Sequence, residues 1–345
     1  VYFLLRAYFI QDFYSKTLCY NLSMSYVWSG LDHDTVLNGV EKITGRAFSN
    51  LFLRRNSYIN RVFELEAKDT KERFIVKFYR PGRWTTGMVL EEHAFLQELF
   101  EKELPVIPPL MFQQKTLFQV NEINCALFPK KGGRALDEFD TESWRAIGRL
   151  LGRLHAISEQ HKSSTRVIWR PSIVSTKQLE LLLKEDHVPV DFRQSLETVG
   201  KLFIDKTEPL FDKEQMILLH GDCHKGNMIH RPGEGVFLVD FDDICVGPAV
   251  QDIWMLLPDI VEKSELEISW LKEGYSLFRD LGKRSFRLAP ALRGMRIIHF
   301  LAWCAVQSKD PDFPTHFPEW QTPRYWNEAI KELQAIVYNH SADDR

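Results

Sequence analysis

The segment of residues 217–252 constrains this chain more than any other, because its short apolar runs are each followed directly by acidic, His or Asn side chains. Residues 217–219 and 236–239 are predicted to be buried strands, and the Arg-Pro-Gly-Glu-Gly turn between them should fold Asn227 back beside Asp240. Several carboxylates would then converge at one end of a small sheet. Charges beside buried apolar residues are costly unless they are compensated, and a divalent cation bound by Asn227 and Asp240 would compensate them. We therefore predict a metal-dependent active site in this segment.

The spacing inside the segment matches that of a kinase catalytic loop. The tripeptide His-Gly-Asp ends at Asp222, and Asn227 follows five residues later, as in the pattern His-x-Asp-x-x-x-x-Asn. In that template the Asp accepts the proton of the substrate hydroxyl and the Asn binds Mg²⁺, while a second Asp after a strand holds Mg²⁺ against the phosphates. Asp222, Asn227 and Asp240 are the candidates for these three roles. The predicted chemistry is phosphoryl transfer.

A metal-dependent phosphoesterase is the competing hypothesis, because the loop around Asp222 and Asn227 also has residues that could bind two metal ions. Such an enzyme needs further His and Asp ligands at other strand ends. The remaining histidines, such as His155 and His299, lie in segments predicted to be helix or linker. This distribution favours phosphoryl transfer.

Two alternating segments nearer the N-terminus predict a hairpin with a Lys in mid-strand. Residues 61–67 and 73–79 place hydrophobic side chains at every second position, and a polar turn separates them. Lys77 lies on the face opposite to the hydrophobic positions of the second strand. In the kinase template a Lys at such a position contacts the α- and β-phosphates of the nucleotide. Lys77 is therefore a predicted nucleotide-binding residue.

The template pairs this Lys with a Glu from the following helix, which the sequence predicts over residues 86–101. Glu92 lies at the edge of the helix face that points toward the core, with hydrophobic residues three, four and seven positions later. Glu92 is the predicted partner, and Glu91 is the second candidate.

No Gly-x-Gly-x-x-Gly segment accompanies these strands, so the glycine loop of protein kinases is not predicted. The Asn-Ser-Tyr turn before residue 61 is the candidate for the phosphate contact instead. Its Ser57 can offer a hydroxyl and a backbone N–H to phosphate oxygens. Ser57 is therefore a predicted nucleotide-binding residue.

A further strand pair, predicted at residues 116–120 and 123–128, ends in Pro and paired Gly, which is typical of a linker between domains. Backbone groups at this point are the natural hinge for an adenine base. The predicted hinge residues are Leu127, Phe128 and Lys130.

Length and composition narrow the class of protein. With 345 residues, 44% of them hydrophobic, the chain can form two domains with separate cores. A net charge of −3 argues against a general nucleic-acid binder. Five scattered cysteines without a Cys-x-x-Cys pair predict reduced thiols in the cytoplasm. We expect neither nucleic acid nor a membrane as a partner.

Residues 1–23 are rich in aromatic side chains and precede Met24, the first methionine. Arg6 and Asp12 interrupt their apolar runs, which are too short to span a membrane, and no signal-peptide layout is present. We predict that this leader is an extension outside the native fold.

The His-Gly-Asp loop followed by an apolar strand and Asp-x-Asp resembles the aminoglycoside phosphotransferase and choline kinase superfamily. That superfamily has a two-lobed, protein-kinase-like α+β fold. The resemblance implies a small β-rich lobe over residues 24–129 and a larger, mainly helical lobe over residues 130–345. Two departures from eukaryotic protein kinases agree with it: Gly221 replaces an Arg, and Asp242 replaces the Gly of Asp-Phe-Gly.

Longer matches narrow the resemblance to the bacterial stress response kinase A family of cytoplasmic Ser/Thr protein kinases. They include IVKFYRPGRW, LEEHAFLQEL, LHGDCHKGN and GPAVQDIWMLL, and extend from Met24 to past Trp326. The family implies ATP- and Mg²⁺-dependent phosphorylation of protein Ser/Thr, including autophosphorylation, by a monomer in stress response. It places Ser57 at the ATP phosphates, Asp222 as proton acceptor, and Asn227 and Asp240 on Mg²⁺, with Asp240 as a second catalytic residue.

Two other functions stay open. A small-molecule kinase acting on choline, homoserine or an aminoglycoside would carry the same core, and a pseudokinase would bind nucleotide without transfer. The intact set of Lys77, Asp222, Asn227 and Asp240 argues against a pseudokinase.

Two further residues lie near the predicted catalytic loop. Asp252 precedes a predicted helix and could cap it, and the resemblance suggests that it also braces the catalytic loop. Cys223 follows the proposed base directly. Packing under the loop is its favoured role, and a reversible oxidative switch is the alternative hypothesis.

Overall fold

The computed structural model describes Trp28 and residues 30–55, 57–135, 139–184, 186–282, 284–310 and 313–343. The prediction for residues 1–23 falls outside this part. The first elements in chain order are α1 (His33–Thr44), β1 (Phe48–Arg55), β2 (Arg61–Ala67), β3 (Arg73–Phe78), α2 (Thr86–Glu101), β4 (Phe118–Val120), β5 (Ile123–Pro129), β6 (Arg134–Ala135) and α3 (Thr141–Ser158). Then follow α4 (Thr176–Lys184), α5 (Val190–Thr207), β7 (Met216–Leu219), β8 (Met228–Arg231), β9 (Gly235–Leu238) and β10 (Cys245–Pro248). The last are α6 (Gln251–Trp254), α7 (Glu265–Tyr275), α8 (Ala289–Gln307), α9 (Phe313–His316) and α10 (Pro323–Asp343).

By their internal contacts the described residues divide into two compact units. The sheet unit comprises the described parts of Gln11–Asp137 together with Asn227–Asp243. The helical unit comprises those of Glu138–Gly226 and Ile244–Arg345. The segment that carries Asn227 and Asp240 thus packs with the sheet, whereas the predicted domains were drawn as continuous stretches of chain.

Five antiparallel strands form the main sheet of the sheet unit, in the order β1-β2-β3-β5-β4. Alternate side chains of β2 and β3, such as Leu65 and Val76, are fully buried with Val36 and Val40 of α1 in one hydrophobic core. The predicted hairpin of β2 and β3 is confirmed. The sequence analysis missed β1, because most of its side chains are at least partly exposed and its register shifts near Phe48, so alternation is weak.

The α2 helix begins and ends where the sequence predicted, at Thr86 and Glu101. The side chain of Thr85 caps it by accepting a hydrogen bond from the N–H of Met88 at 3.2 Å. The helix buries apolar residues and also Glu92. It therefore holds that carboxylate inside the sheet unit.

A second hairpin carries the predicted metal ligands. Strands β8 and β9 pair antiparallel, and the N–H of Val239 donates to the carbonyl of Asn227 at 3.0 Å. This confirms that the turn folds Asn227 back beside Asp240. The hairpin packs into the sheet unit through a bridge between Val106 and Leu238.

The strand before the catalytic loop does not share that sheet, so the prediction of one common sheet was wrong. β7 pairs with β10 in a separate two-stranded sheet, with Leu219 opposite Cys245. Short apolar strands of this kind can pair with any strand of similar length, and the periodicity of the sequence does not identify which one.

In the helical unit, α3 and α7 pack closely through glycines. A Cβ atom on Gly148 would lie 2.0 Å from the carbonyl oxygen of Leu271, and one on Gly274 would lie 2.1 Å from that of Arg145. The most apolar helix is α8, which starts with a Pro in its first turn and carries Arg293 and Arg296. None of the helices in the described part of the chain combines the length and hydrophobicity that a membrane span requires.

Candidate active site

The predicted site residues fall into two groups, one in each unit. In the helical unit, the catalytic loop leaves β7 and is fixed at once by Asp252. Its carboxylate accepts hydrogen bonds from the N–H groups of His220 and Gly221, both at 2.8 Å. Gly221 has a φ of 84°, a left-handed conformation that glycine adopts without strain. The Gly of the His-Gly-Asp tripeptide is therefore a structural requirement of this loop.

The bracing role that the resemblance gave Asp252 is confirmed, and the capping role is wrong. Asp252 is the second residue of α6. The N-cap residue of this helix is Val250, which makes no capping hydrogen bond through its side chain. Its carboxylate is fully buried and also lies 3.1 Å from Nε2 of His155. A buried carboxylate needs such donors, and here the loop backbone and a His supply them.

The brace extends through a buried hydrogen-bond network. Nδ1 of His155 lies 2.9 Å from the hydroxyl of Tyr275, which accepts from Nη1 of Arg279 at 3.0 Å. Burial raises the pKa of Tyr275 to about 12, so its hydroxyl stays protonated. The network ties the start of the catalytic loop to α3 and α7.

The predicted base, Asp222, is almost completely buried. Its Oδ1 is 2.9 Å from Nη2 of Arg296, and its Oδ2 is 3.4 Å from Nε2 of His224. Since Nδ1 of His224 accepts the N–H of Gly226 at 3.0 Å, a neutral His224 carries its proton on Nε2, toward Asp222. Oδ2 therefore faces a donor, and Oδ1 forms an ion pair with Arg296.

These contacts decide the charge of Asp222. Burial favours the neutral acid, but the Arg296 guanidinium and the His224 contact outweigh it and hold the pKa of Asp222 well below its usual range. The carboxylate is ionised at neutral pH, as a proton acceptor must be. Sequence analysis did not identify Arg296, because an Arg on an apolar helix has no pattern that names its partner.

Cys223 is fully buried behind Asp222. Burial and the charges of Asp252 and Asp222 raise its pKa well above the ordinary value for a thiol. Only a thiolate is readily oxidised, so the structure favours packing over the oxidative switch.

In the sheet unit, Lys77 is a buried cation with two acidic partners. Its Nζ lies 3.0 Å from Oδ1 of Asp240 and also pairs with Asp242. Burial favours the neutral amine, but the charges of Asp240, Asp242 and Glu92 outweigh it and hold the pKa of Lys77 well above its ordinary value. Lys77 is thus charged in mid-strand, and Glu92 adds to the field that keeps it so.

Asp242, the acid that replaces the Gly of Asp-Phe-Gly, is held by buried donors. Nδ2 of Asn60 lies 2.7 Å from its carboxylate and Nη1 of Arg83 lies 2.9 Å from it, while Nη2 of Arg83 binds Asp243 at 2.6 Å. Burial would raise the pKa of Asp242, but the charges of Lys77 and Arg83 lower it to about 2. Asn60 and Arg83 escaped the sequence analysis because both lie in loops, where periodicity says nothing about contacts.

Asp240 and Asn227 offer the oxygen ligands that Mg²⁺ prefers. Asp240 has a φ of 63°, which is rare outside glycine, and its side chain is 29% exposed, so a carboxylate oxygen remains accessible. Asn227 is buried and directly precedes β8. Within the described ranges, no group of three or more His, Cys, Asp and Glu side chains is arranged to hold a metal ion. A site made from Asp240 and Asn227 would be completed by phosphate and water oxygens.

The other predicted nucleotide ligands also lie in the sheet unit. Ser57 is half-buried in the turn between β1 and β2. At the predicted hinge, the Leu127 carbonyl accepts from Leu110 at 2.7 Å, and the Lys130 N–H donates to Arg73 at 3.0 Å. These two backbone groups are already bonded within the protein.

Phe128 is half-buried and lies opposite Ile75 in β3. The ammonium of Lys130 lies 3.5 Å from the buried carboxylate of Glu64. The adenine and phosphate contacts of Ser57, Leu127, Phe128 and Lys130 stay predictions.

Comparison with known proteins gives a consistent family. The phosphotransferase enzyme family (APH) matches residues 53–287. Stress response kinase A of Escherichia coli K12 is 34% identical over 307 residues, which cover 88% of this chain and 91% of that protein. The Salmonella typhimurium protein named serine/threonine protein kinase RdoA is 35% identical over 276 residues, or 79% and 82% of the two chains.

A solved structure shows the same fold. Amicoumacin kinase hAmiN, in complex with AMP-PNP, Ca²⁺ and Ami, aligns with a TM-score of 0.73 at 18% identity. The alignment covers 92% of this chain and 96% of that one. The α+β fold seen here, with its antiparallel sheet and mainly helical remainder, is thus the protein-kinase-like fold of these phosphotransferases.

Proposed function

Since this chain belongs to the phosphotransferase enzyme family and, within it, to the stress response kinase A family, we propose that it transfers the γ-phosphoryl group of ATP to Ser and Thr hydroxyls of proteins, itself included. Kinase activity follows from the family. That the acceptor is a protein is a more specific conclusion than kinase activity, and the name of the 35% identical Salmonella relative supports it.

The observation that carries this proposal is the state of Asp222. It is buried, ionised and paired with Arg296 and His224, at the start of a loop that Asp252 braces. A carboxylate of low proton affinity suits phosphoryl transfer, because the transition state is loose and the acceptor proton leaves late. Asp222 would accept that proton.

The residues of the sheet unit would hold the nucleotide. Asp240 and Asn227 fit Mg²⁺ by the chemistry of their oxygens, and Mg²⁺, when bound, neutralises charge on the phosphate oxygens. Lys77, whose charge is fixed by its acidic neighbours, is the candidate for the α- and β-phosphates. Ser57 is the candidate for a further phosphate contact, and Leu127, Phe128 and Lys130 are those for adenine.

A small molecule of the choline, homoserine or aminoglycoside kind is the alternative acceptor. The shared fold with amicoumacin kinase supports it, although fold alone does not choose an acceptor. We further propose that the chain acts as a monomer in the cytoplasm during a stress response, with no nucleic acid or membrane as partner. The names of the relatives support the stress response, and the free cysteines at 125, 223, 245 and 304 support a reducing compartment.

The test incubates the full chain with labelled ATP and Mg²⁺, with a generic protein acceptor in one arm and a panel of amines and alcohols in the other. Label on Ser or Thr of the chain and of the acceptor protein is the expected result. Label on small molecules alone would move the assignment to the alternative, and ATP binding without any transfer would indicate a pseudokinase.

A further inference from the structure

Arg296 stands on α8, far along the chain from the catalytic loop, and still reaches the proposed base. The distance from its Nη2 to Oδ1 of Asp222 is 2.9 Å, and the side chains are 17% and 2% exposed. An ion pair so shielded from water is neither a loose surface contact nor easily screened by salt. Its geometry sets the direction in which the carboxylate points.

We propose that Arg296 is the positioning residue of the base and that its charge selects against cationic phosphoryl acceptors. This inference rests on the proposed role of Asp222 as proton acceptor. It deepens that role by naming the acceptor class: a hydroxyl in a neutral or acidic setting, rather than one on a polycation.

The proposal that Arg296 positions the base rests on the contacts of the two carboxylate oxygens of Asp222. Arg296 holds Oδ1, and His224 lies on the side of Oδ2 at a longer distance of 3.4 Å. Without Arg296 the carboxylate could rotate, and burial would favour its protonated form.

The proposal that the site selects against cationic acceptors rests on the positive charge of Arg296. An acceptor hydroxyl must lie within hydrogen-bond distance of Asp222 to give up its proton, which places Arg296 about 6 Å from the reacting oxygen. At that distance the guanidinium cancels the attraction that the carboxylate alone would exert on a positive acceptor. A cationic acceptor therefore gains nothing from the base, and an acidic one is not repelled by it.

The first test is a pH profile of ATP hydrolysis, which needs no protein acceptor. The groups that face Asp222 include Arg296 from α8 and His220 and His224 from its own loop. Arg296 lowers the pKa of Asp222 and the ionised form is active, so protonation of Asp222 should reduce the activity of wild type only at the acid end of the profile, below the usual pKa of an Asp side chain. Arg296→Gln should raise the pKa of Asp222. The pH at which activity falls on the acid side of the profile, here called the acid limb, should then move upward by at least about one pH unit. The histidines are present in every variant, so their effect is common to all.

Arg293→Gln is the matched control, because Arg293 lies one turn earlier on α8 and pairs with Glu332 at 2.9 Å instead. It should leave the acid limb unchanged. Arg296→Lys keeps the charge and should hold the limb near that of wild type while losing rate, since Lys lacks the fixed guanidinium geometry. An unmoved limb in Arg296→Gln, or a limb shifted equally in Arg296→Lys or Arg293→Gln, would overturn the positioning role.

The second test compares Ser peptides of net positive and net negative charge. Relative to wild type, Arg296→Gln should shift the ratio of kcat/KM toward the basic peptide by about fivefold, because the carboxylate is then left without its neutralising partner. An unchanged ratio would overturn the selection. If wild type phosphorylates no peptide or protein at all, the proposed function fails, but the hydrolysis profile still decides whether Arg296 positions Asp222.

Discussion

At the residue scale, Asp240 and Asp243 lie three positions apart and should have different roles, one in metal binding and the other in stability. Asp240 is partly exposed beside Lys77, whereas Asp243 is buried against Arg83 at 2.6 Å. Asp240→Ala should abolish Mg²⁺-dependent nucleotide affinity with little loss of stability. Asp243→Ala should keep that affinity and cost about 3 kcal/mol, because it removes one partner of a buried ion pair.

Calorimetric titration of nucleotide with and without Mg²⁺, combined with thermal unfolding of the same two variants, separates these effects. The control is wild type in excess chelator, which should match Asp240→Ala in nucleotide affinity. Equal loss of Mg²⁺ dependence in both variants would show that the metal site is misplaced.

Cys223 gives a second prediction at this scale. Its buried thiol has a pKa raised by burial and by neighbouring carboxylates, so little thiolate exists at neutral pH. Mild peroxide should leave kinase activity unchanged in wild type and in Cys223→Ser. Loss of activity that reductant restores in wild type, and that is absent in Cys223→Ser, would revive the oxidative switch.

At the scale of elements, the brace of the catalytic loop is a chain of hydrogen bonds that the Tyr275 hydroxyl extends to α7. Tyr275→Phe removes contacts to His155 and Arg279 and leaves buried polar groups with fewer partners. We expect a loss of about 1–3 kcal/mol in the free energy of unfolding, with a modest fall in kcat as the loop loosens.

Tyr338→Phe is the matched control, because the Tyr338 side chain is 70% exposed and the same atom is removed there. Denaturant unfolding of both variants makes the comparison. Equal stability of the two variants would mean that the network does not support the loop.

Elements with regular spacing were predictable from the sequence, and their contacts mostly were not. α2, the β2–β3 hairpin and the β8–β9 hairpin follow from periodicity and turn residues, which act locally. β1 did not follow, since an exposed, irregular strand lacks alternation. The partners of β7 and of Arg296 depend on which distant segments meet, and no local pattern in one sequence encodes that.

In the candidate site, too, the residues were predictable from the sequence, whereas their surroundings were not. Asp222, Asn227, Asp240 and Lys77 were found because a loop spacing and a mid-strand Lys are visible in the sequence. The charge states of Asp222 and Lys77 were not, because burial, the position of Arg296 and the carboxylates around Lys77 set them.

At the scale of the whole molecule, the chain matches its relatives over most of its length and has their fold. The proposed base belongs to the helical unit, and the proposed metal ligands and Lys77 belong to the sheet unit. The protein acceptor is the part of the account that family and fold leave open.

The most direct test of the central claim is autophosphorylation of the full chain by labelled ATP and Mg²⁺, compared between wild type and Asp222→Asn with identification of the labelled amino acid. Wild type should carry label on Ser or Thr. Asp222→Asn should fold, bind ATP and lose transfer by at least about a hundredfold, because the proton acceptor and its charge are gone. Comparable labelling of both proteins, or label in neither while small alcohols are phosphorylated, would contradict the account.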